Sequence, residues 1–356
     1  MDNNSISQFF ENSQMELITQ SSDLSLATLS SMIESGGIDL NPDFQRRERW
    51  DIDDKSKLIE SFILNVPIPA IYLSEDKFGK YTAIDGKQRL NAINGFMEGR
   101  FRLKGLKKAY FLNDCLFKDL IDDIKNVLTI RPLVRVITVL KQSDPSLKYE
   151  VFLRLNQQGE RLNAQEIRNV AWKGPLNDLL LDLSVNPILR TALKIPANNK
   201  SSAFQKMEDV EFILRFLTLH NLGDNYNKDL SGSMDKFMEE NQYANWENLD
   251  IYANDFNRAI NGCDAIWGNN SFQRYDGMYR QQMVAGMYDA QMLAMAKFSD
   301  SEIGSLTNNK DGIIAEFERI STQDTIFEQS VRVSTNDKAK LHYRVGKIKE
   351  ILTQNL

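Results

Sequence analysis

The sequence predicts a helix-rich α+β protein, and three observations support this fold class. Its 356 residues are 42% hydrophobic and 26% charged, which supplies enough apolar material for a buried core. Proline is scarce, with 8 residues, so few positions block the helical backbone. Strand patterns are confined to the first part of the chain, whereas nearly every long segment after Lys141 is amphipathic with a helical period.

The chain divides into three predicted parts. Residues 1–14 form a polar tail, residues 15–142 form a mixed domain, and residues 143–356 form a helical domain. The boundary near Ser143 follows the last strand pattern. Helical spacing of apolar residues in segments such as Val210 to Leu219 supports the third part.

Helices dominate the start of the mixed domain, after a short strand predicted at Met15 to Thr19. Leu26 to Ile33 has apolar residues at helical spacing, and the glycine pair that follows favours a stop. A second helix is predicted from Asp54 to the prolines of the NVPIP segment, with Asp51 or Asp53 as its N-cap.

Two strands and a sharp junction come next. Ala70 to Leu73 and Lys80 to Ile84 are rich in β-formers, and the residues between them favour a hairpin turn. Asp85 and Gly86 end the second strand, and apolar residues at helical spacing predict a helix directly afterwards. Val134 to Leu140 is a further predicted strand.

Cysteine content and the N-terminal sequence exclude several classes of protein. Cys115 and Cys263 are the only cysteines and lie far apart, so neither a disulfide framework nor a cysteine zinc site is indicated. The N-terminus has no basic start followed by an apolar run, and no segment approaches the roughly 20 apolar residues that span a bilayer. We expect a cytoplasmic protein without membrane association.

Charge is distributed unevenly along the chain. A net charge of −6 argues against indiscriminate coating of nucleic acid, which requires many Lys and Arg side chains. Between Asp85 and Lys108, however, basic residues clearly outnumber acidic ones. This local excess is either a solvated face or an anion-binding surface.

The junction from Tyr81 to Arg89 is the strongest candidate for a phosphate-binding site. A strand passes through a glycine turn directly into a helix, whose first N–H groups and dipole attract anions. Lys87 and Arg89 add positive charge in the first turn. The alternative is structural, with Asp85 capping the helix, Gly86 turning the chain, and Arg89 pairing with Asp85 four residues away.

Two other polar segments accompany this junction. Phe44 to Arg47 is basic around one aromatic residue, and its structural alternative is an exposed loop. Phe152 to Glu166 contains the end of one helix, a glycine, and then Asn163 with Glu166 at capping-box spacing for the next helix. Capping alone accounts for most of this segment, so these residues do not by themselves indicate a site.

Taken together, the segments resemble the N-terminal domain of the GmrSD type IV restriction endonucleases, which is related to ParB and sulfiredoxin domains. The resemblance runs from about Leu26 to beyond Arg168. It implies a ParB/sulfiredoxin-like N-terminal domain ahead of the helical region. Its signals in chain order are PDFQR and Trp in Pro42 to Trp50, LIESFILNVPIP at Leu58 to Pro69, IDGKQRLNAI at Ile84 to Ile93, and FLRLNQQGERLNAQEIR at Phe152 to Arg168.

What the resemblance implies is a nucleotide-binding and often nucleotide-hydrolysing domain that works in defence against foreign or modified DNA. The glycine-glutamine-arginine motif of the family maps to Gly86, Gln88 and Arg89, with Asp85 as its acidic lead residue. Lys87 replaces a common glutamine and adds charge near the expected phosphates. The catalytic candidates are Gln45, Arg46, Asp85, Gln88 and Arg89, and the cofactor-binding candidates are Gly86, Lys87, Arg89, Asn156 and Asn163.

Hydrolysis at the junction is expected to be mainly electrostatic. Arg89, Lys87 and the helix N-terminus would hold the phosphates. Arg46 would stabilise developing charge, and Gln45 or Gln88 would orient the attacking water. The expected activity is that of a nucleoside triphosphatase.

The predicted cofactor is a nucleoside triphosphate with Mg²⁺, because the divalent ion neutralises the charge of a triphosphate. Asp85 or Glu166 is the nominated acidic residue for that ion. The sequence shows no cluster of metal ligands of its own. Other phosphate-binding signatures, G-x-x-x-x-G-K-[ST] and G-x-G-x-x-G, are absent.

DNA cleavage marks a departure from the family. Many relatives carry a His-Asn-His nuclease domain, which uses histidine as general base and metal ligand. This chain has only His220 and His342, each isolated, so we expect no cleavage by that chemistry. The expected partner is DNA, and a separate nuclease subunit and self-association are further options. The rival hypothesis is a non-catalytic DNA-binding or scaffold protein that uses nucleotide as a switch.

Overall fold

The computed structural model describes residues 17–40, 50–155 and 163–356. Contacts between residues divide the chain into two compact units, Met1–Leu162 and Asn163–Leu356. The sequence pattern predicts the boundary between the mixed and the helical domain near Ser143, whereas in the structure the helix that follows Ser143 lies within unit 1. The predicted α+β class is confirmed, with a mixed sheet in unit 1 and mainly helices in unit 2.

Unit 1 is built around a mixed five-stranded sheet with the order β1-β5-β3-β4-β2. Strand β5 pairs antiparallel with β1 and parallel with β3. Strands β3 and β4 form an antiparallel hairpin, and β4 pairs parallel with the short β2. The strands are β1 (Thr19–Ser25), β2 (Ile38–Asp39), β3 (Ile71–Lys77), β4 (Lys80–Asp85) and β5 (Leu133–Val139).

Helices of unit 1 bury the apolar faces that the sequence predicts. Leu29, Leu90 and Ile93 are fully buried in one core that also contains Leu73 and Val136 of the sheet. The predicted cap of the second helix is Asp51, whose carboxylate accepts a hydrogen bond from the Asp54 N–H at 2.8 Å. These helices are α1 (Leu26–Glu34), α2 (Ile52–Ile63), α3 (Lys87–Met97), α4 (Asp122–Ile130) and α5 (Pro145–Leu155).

Unit 2 is mainly helical, as expected, and contains one short antiparallel hairpin that the sequence analysis did not predict. That hairpin joins β6 (Gln273–Tyr275) to β7 (Tyr279–Met283). Helix α13 forms the centre of the unit, and nearly all of its residues are buried. The helices are α6 (Ala164–Ala171), α7 (Pro175–Leu183), α8 (Pro187–Ala192), α9 (Ser202–Gln205), α10 (Glu208–Leu222), α11 (Leu230–Asn241), α12 (Trp246–Trp267), α13 (Ala285–Met295), α14 (Asp300–Asn308), α15 (Lys310–Gln323), α16 (Thr325–Arg332) and α17 (Lys338–Gln354).

Two predicted strand positions are wrong. The first strand begins at Thr19 rather than ending there, because TQSSDLS pairs along its whole length with β5 at the edge of the sheet. An exposed edge strand tolerates polar residues, so it lacks the β-former pattern used for prediction. Strand β3 extends to Lys77, so the hairpin turn consists of Phe78 and Gly79 alone.

The described helices give no sign of a membrane span. Within residues 17–40, 50–155 and 163–356, none combines the length and the apolar character that crossing a bilayer requires.

Candidate functional site

The turn between β4 and α3 requires glycine for two reasons. Gly86 has φ +95° and ψ 10°, a left-handed conformation that side chains with a Cβ rarely adopt. A Cβ at this position would also lie 2.9 Å from Ile71 Cγ1 of β3. Gly86 is the N-cap of α3 and provides no side-chain acceptor for the first helical turn. The predicted strand-glycine-helix junction is therefore confirmed as a backbone feature.

Arg89 fixes this turn from inside the protein. Its side chain is buried, and Nη2 donates a hydrogen bond to Asp85 Oδ2 at 2.6 Å. Nη1 donates to the carbonyl oxygens of Pro69 and Ala70, which lie just before β3. The guanidinium thus joins the end of β4 to the start of β3, and the Asp85–Arg89 pair of the structural alternative is confirmed. The other part of that alternative, Asp85 as the helix cap, is wrong, because the N-cap is Gly86, which has no side chain. Contact between Arg89 and a phosphate stays a prediction.

The solvent side of the turn carries a different set of groups. The Asp85 side chain is 44% exposed. Lys87 and Gln88 are half-buried in the first turn of α3, and each also has an interaction partner within the chain. Asp85, Lys87 and Gln88 therefore bring a carboxylate, an ammonium group and an amide to the solvent side of this helix N-terminus.

The third segment of the sequence pattern forms a capping box at the start of unit 2. Asn163 Oδ1 accepts from the Glu166 N–H at 2.9 Å, and the Glu166 carboxylate accepts from the Asn163 N–H at 2.7 Å. Asn163 Nδ2 also donates to the Lys206 carbonyl at 2.7 Å. The capping interpretation is confirmed, and both polar atoms of the Asn163 side chain serve the fold. Gln45, Arg46 and Asn156 lie outside the described residues, so their roles remain predictions.

A comparison with protein families covers this region. Residues 26–172 match the family described as the N-terminal domain of the GmrSD restriction endonuclease. Residues 26–172 form a GmrSD N-terminal domain. The match connects this part of the chain with restriction systems. No curated protein and no solved structure matches the chain.

Within this GmrSD N-terminal domain, the two acidic residues nominated for Mg²⁺ have different surroundings. Asp85 borders solvent, and one of its oxygens accepts from Arg89. Glu166 is only 1% exposed, and its carboxylate is used by the capping box. The described parts of the chain contain no group of three or more His, Cys, Asp or Glu side chains arranged to hold a metal ion.

Sequence reasoning missed the backbone partners of Arg89 in this GmrSD N-terminal domain. The carbonyls of Pro69 and Ala70 lie about 20 residues earlier in the chain, beyond the reach of local periodicity. The proline-rich NVPIP segment was the available signal. A proline has no N–H to contribute to a helix or sheet, but its carbonyl remains an acceptor for a buried donor.

Proposed function

We propose that this chain is the nucleotide-binding component of a DNA restriction system, and that it holds a nucleoside triphosphate with Mg²⁺ at the N-terminus of α3. The observation that carries the proposal is the glycine-initiated α3 within a GmrSD N-terminal domain. Backbone N–H groups at a helix start and the helix dipole favour phosphate.

The geometry supports a division of labour between two basic residues. Lys87 lies in the first turn of α3 and borders solvent, which suits a direct contact with phosphate. Arg89 is buried against Asp85 and two carbonyls, which suits a positioning role that keeps the turn in its phosphate-binding shape. This division departs from the expectation that both side chains hold the phosphates.

Hydrolysis is a second step of the proposal. Gln88 in the first turn of α3 is the described residue suited to orient a water molecule beside the terminal phosphate. Gln45 and Arg46 are proposed to complete the chemistry from outside the described residues. Bound Mg²⁺ would neutralise charge on the triphosphate, with Asp85 as its nearest nominated carboxylate.

One observation favours a second candidate function, a nucleotide-dependent switch without hydrolysis. Arginine residues that accelerate phosphoryl transfer contact the developing charge directly. In this domain the Arg89 guanidinium is buried and bound to protein oxygens. A bound nucleotide would then change the conformation or partner binding of the domain rather than turn over.

DNA cleavage is assigned to a separate nuclease subunit in this proposal. His220 lies on α10 beside Asp255 at 3.3 Å, and His342 lies on α17 beside Asp224 at 3.5 Å. Each histidine therefore faces one carboxylate, and in the described residues neither belongs to a metal-binding cluster. Incubation of the chain alone with modified and unmodified plasmid DNA and Mg²⁺ should leave both intact. Cutting by the purified chain would remove this part of the proposal.

The test of nucleotide binding is a thermal-shift panel of ATP, GTP, CTP and UTP with Mg²⁺. A ligand at 100 times its Kd stabilises the folded state by about 2.7 kcal/mol, which gives a readily measured rise in Tm. We expect one nucleotide to raise Tm in the wild type and Lys87→Ala to reduce that shift. Lys77→Ala, which removes an exposed charge from β3, is the matched control and should behave as the wild type.

Phosphate release separates the hydrolase from the switch. If the hydrolase assignment is correct, the nucleotide that raises Tm is also turned over, and Arg89→Ala abolishes turnover. Selective binding without phosphate release would instead establish the switch. Arg89→Ala that hydrolyses at the wild-type rate would remove Arg89 from the mechanism, and a panel with no shift would remove the nucleotide-binding proposal altogether.

A further inference from the structure

The loop that follows α3, residues 99–113, combines positive charge with exposed aromatic rings. The 99–113 loop contains no acidic residue. Its basic residues are Arg100, Arg102, Lys104, Lys107 and Lys108. Tyr110 and Phe111 follow immediately and are 70% and 65% exposed. Exposed apolar patches that are bordered by polar residues can mark interaction sites.

Buried residues at every third position anchor this loop to the core of unit 1. Leu103, Leu106, Ala109 and Leu112 are all nearly inaccessible to solvent and belong to the same core as the sheet. Their spacing directs the intervening residues outward. The lysines and both rings are therefore exposed although the loop itself is packed against the core.

Helix α2 fixes the backbone of the loop through two side chains. Ser56 Oγ accepts from the Lys104 N–H at 2.9 Å. Glu60 Oε1 accepts from the N–H groups of Lys108 and Ala109 at 2.9 and 2.8 Å. A surface held in this way loses little conformational entropy when it binds a partner, because its backbone is already ordered.

Three of the basic side chains remain available to a ligand. Arg100 pairs with Glu34 at 2.8 Å, and Arg102 donates to the Asp114 carbonyl at 2.6 Å. Lys104, Lys107 and Lys108 are exposed, and they make no ion pair with any carboxylate in residues 17–40, 50–155 and 163–356. The rings of Tyr110 and Phe111 meet edge to face, with centroids 5.8 Å apart, and leave most of their area open.

We propose that the 99–113 loop is a DNA-binding surface that recognises unpaired bases. Lysine ammonium groups neutralise backbone phosphates, and exposed aromatic rings stack on bases that a duplex would keep stacked on each other. The choice of DNA rather than another polyanion rests on the proposed function in a restriction system. The surface itself is distinct from the turn at Gly86, and DNA binding at it does not require a bound nucleotide.

The test measures binding of a fluorescent single-stranded DNA as a function of salt concentration, without nucleotide. Replacing Tyr110 and Phe111 together by Ala should weaken binding by about 5- to 100-fold, which corresponds to the loss of base stacking. Replacing Lys104, Lys107 and Lys108 together by Ala should reduce the slope of log K against log salt by about 0.7 for each lysine that contacts a phosphate.

Matched controls remove equivalent groups elsewhere. One control protein lacks three exposed lysines and carries Lys77→Ala, Lys310→Ala and Lys349→Ala. The other lacks two aromatic residues that are 75% and 74% exposed and carries Tyr243→Ala and Trp246→Ala. Both control proteins should bind as the wild type. Circular dichroism and Tm confirm that each variant is folded.

Several outcomes would overturn the DNA-binding surface. One is failure of the wild type to bind single-stranded DNA at low salt, and another is tighter binding of duplex DNA or of RNA by the wild type. The others are a loop variant that keeps the wild-type affinity and a control variant that binds as weakly as its loop counterpart. The nucleotide-dependent rise in Tm is measured on the same loop variants. Since it depends on Lys87 and not on the loop, failure of the DNA surface and failure of nucleotide binding are recognised separately.

Discussion

Two of the sites at which this protein buries arginine expose the partner carboxylate to very different degrees. In unit 1, Arg89 donates to Asp85, whose side chain is 44% exposed. In unit 2, Arg215 and Arg344 both donate to Asp289, which is only 1% exposed. The first carboxylate borders a helix N-terminus and solvent, whereas the second is enclosed by helices α10, α13 and α17.

The geometry at Asp289 shows what enclosure requires. Arg215 donates through Nε at 2.6 Å and Nη2 at 2.7 Å, which is a bidentate pair. Arg344 adds a bond to the same carboxylate at 2.5 Å and donates also to the carbonyls of Ser330 and Thr335. Buried charges are tolerated only when they are paired and hydrogen-bonded in this way. Asp85 does not need to be saturated in this way, because water can hydrogen-bond to its exposed carboxylate.

The largest loss of stability is expected from a substitution of Asp289. Asp289→Asn removes the one carboxylate shared by two buried guanidinium groups, and we expect the free energy of unfolding to fall by about 3–5 kcal/mol. Urea unfolding followed by circular dichroism measures the loss. Asp264→Asn, an exposed position on the neighbouring helix α12, is the matched control and should change stability by less than about 0.5 kcal/mol. Equal stability of the two variants would contradict the comparison.

Gly86 provides the next largest expected effect. Gly86→Ala places a Cβ 2.9 Å from Ile71 Cγ1 in a left-handed backbone, and we expect a loss of about 2–4 kcal/mol from strain and overpacking. Gly79→Ala has a similar φ of +73° but open space around the new Cβ, so it should lose only about 1–2 kcal/mol. Thermal unfolding of both variants isolates the contact with Ile71. Identical losses would mean that the turn is not closely packed.

A pH-dependent effect of smaller size is expected at Asp209, the second residue of α10, which is nearly inaccessible to solvent. Burial raises the pKa of Asp209 to about 6, although its carboxylate accepts from the Val210 N–H. Because the folded-state pKa lies above the unfolded value, the contribution of this group to stability is present at low pH and is lost as pH rises through about 6.

The amide of Asp209→Asn cannot ionise, so this variant does not lose stability as the pH rises through about 6. Between pH 4 and pH 8 the stability of Asp209→Asn relative to the wild type should therefore improve by roughly 1–3 kcal/mol. Urea midpoints at several pH values measure the trend. Asp311→Asn, an exposed position in the first turn of α15, should follow the wild type across the same range. A flat difference between Asp209→Asn and wild type would show that the carboxyl group titrates normally.

Local features of the structure were predictable from the sequence. The spacing of Leu90, Ile93 and Phe96 predicts the buried face of α3, and the glycine before it predicts the turn. The Asp85–Arg89 pair is visible at a separation of four residues. These features depend on helical period, backbone freedom and local charge, all of which are encoded by neighbouring residues.

Long-range partners were not predictable in the same way. Asp289 lies 74 residues from Arg215 and 55 from Arg344, and no local pattern indicates that three helices bring them together. Strand β1 was misplaced because its polar residues are held by the register with β5 rather than by their own preferences. For the candidate site, the sequence identified the turn, but burial of Arg89 against Pro69 and Ala70 required the tertiary structure.

The smallest expected effect, at Asp85, decides whether its exposure matters. Asp85→Asn removes the ion pair with Arg89 but retains an oxygen acceptor, and the guanidinium keeps the carbonyls of Pro69 and Ala70. Water reaches this side chain and screens the pair, so the loss should be about 1 kcal/mol or less. Urea unfolding of Asp85→Asn beside Asp289→Asn measures the two on one scale. If Asp85→Asn lowers the free energy of unfolding as much as Asp289→Asn does, the turn depends on the Asp85 charge as strongly as the buried site depends on Asp289. The Asp85 carboxylate would then not be available to a metal-bound nucleotide.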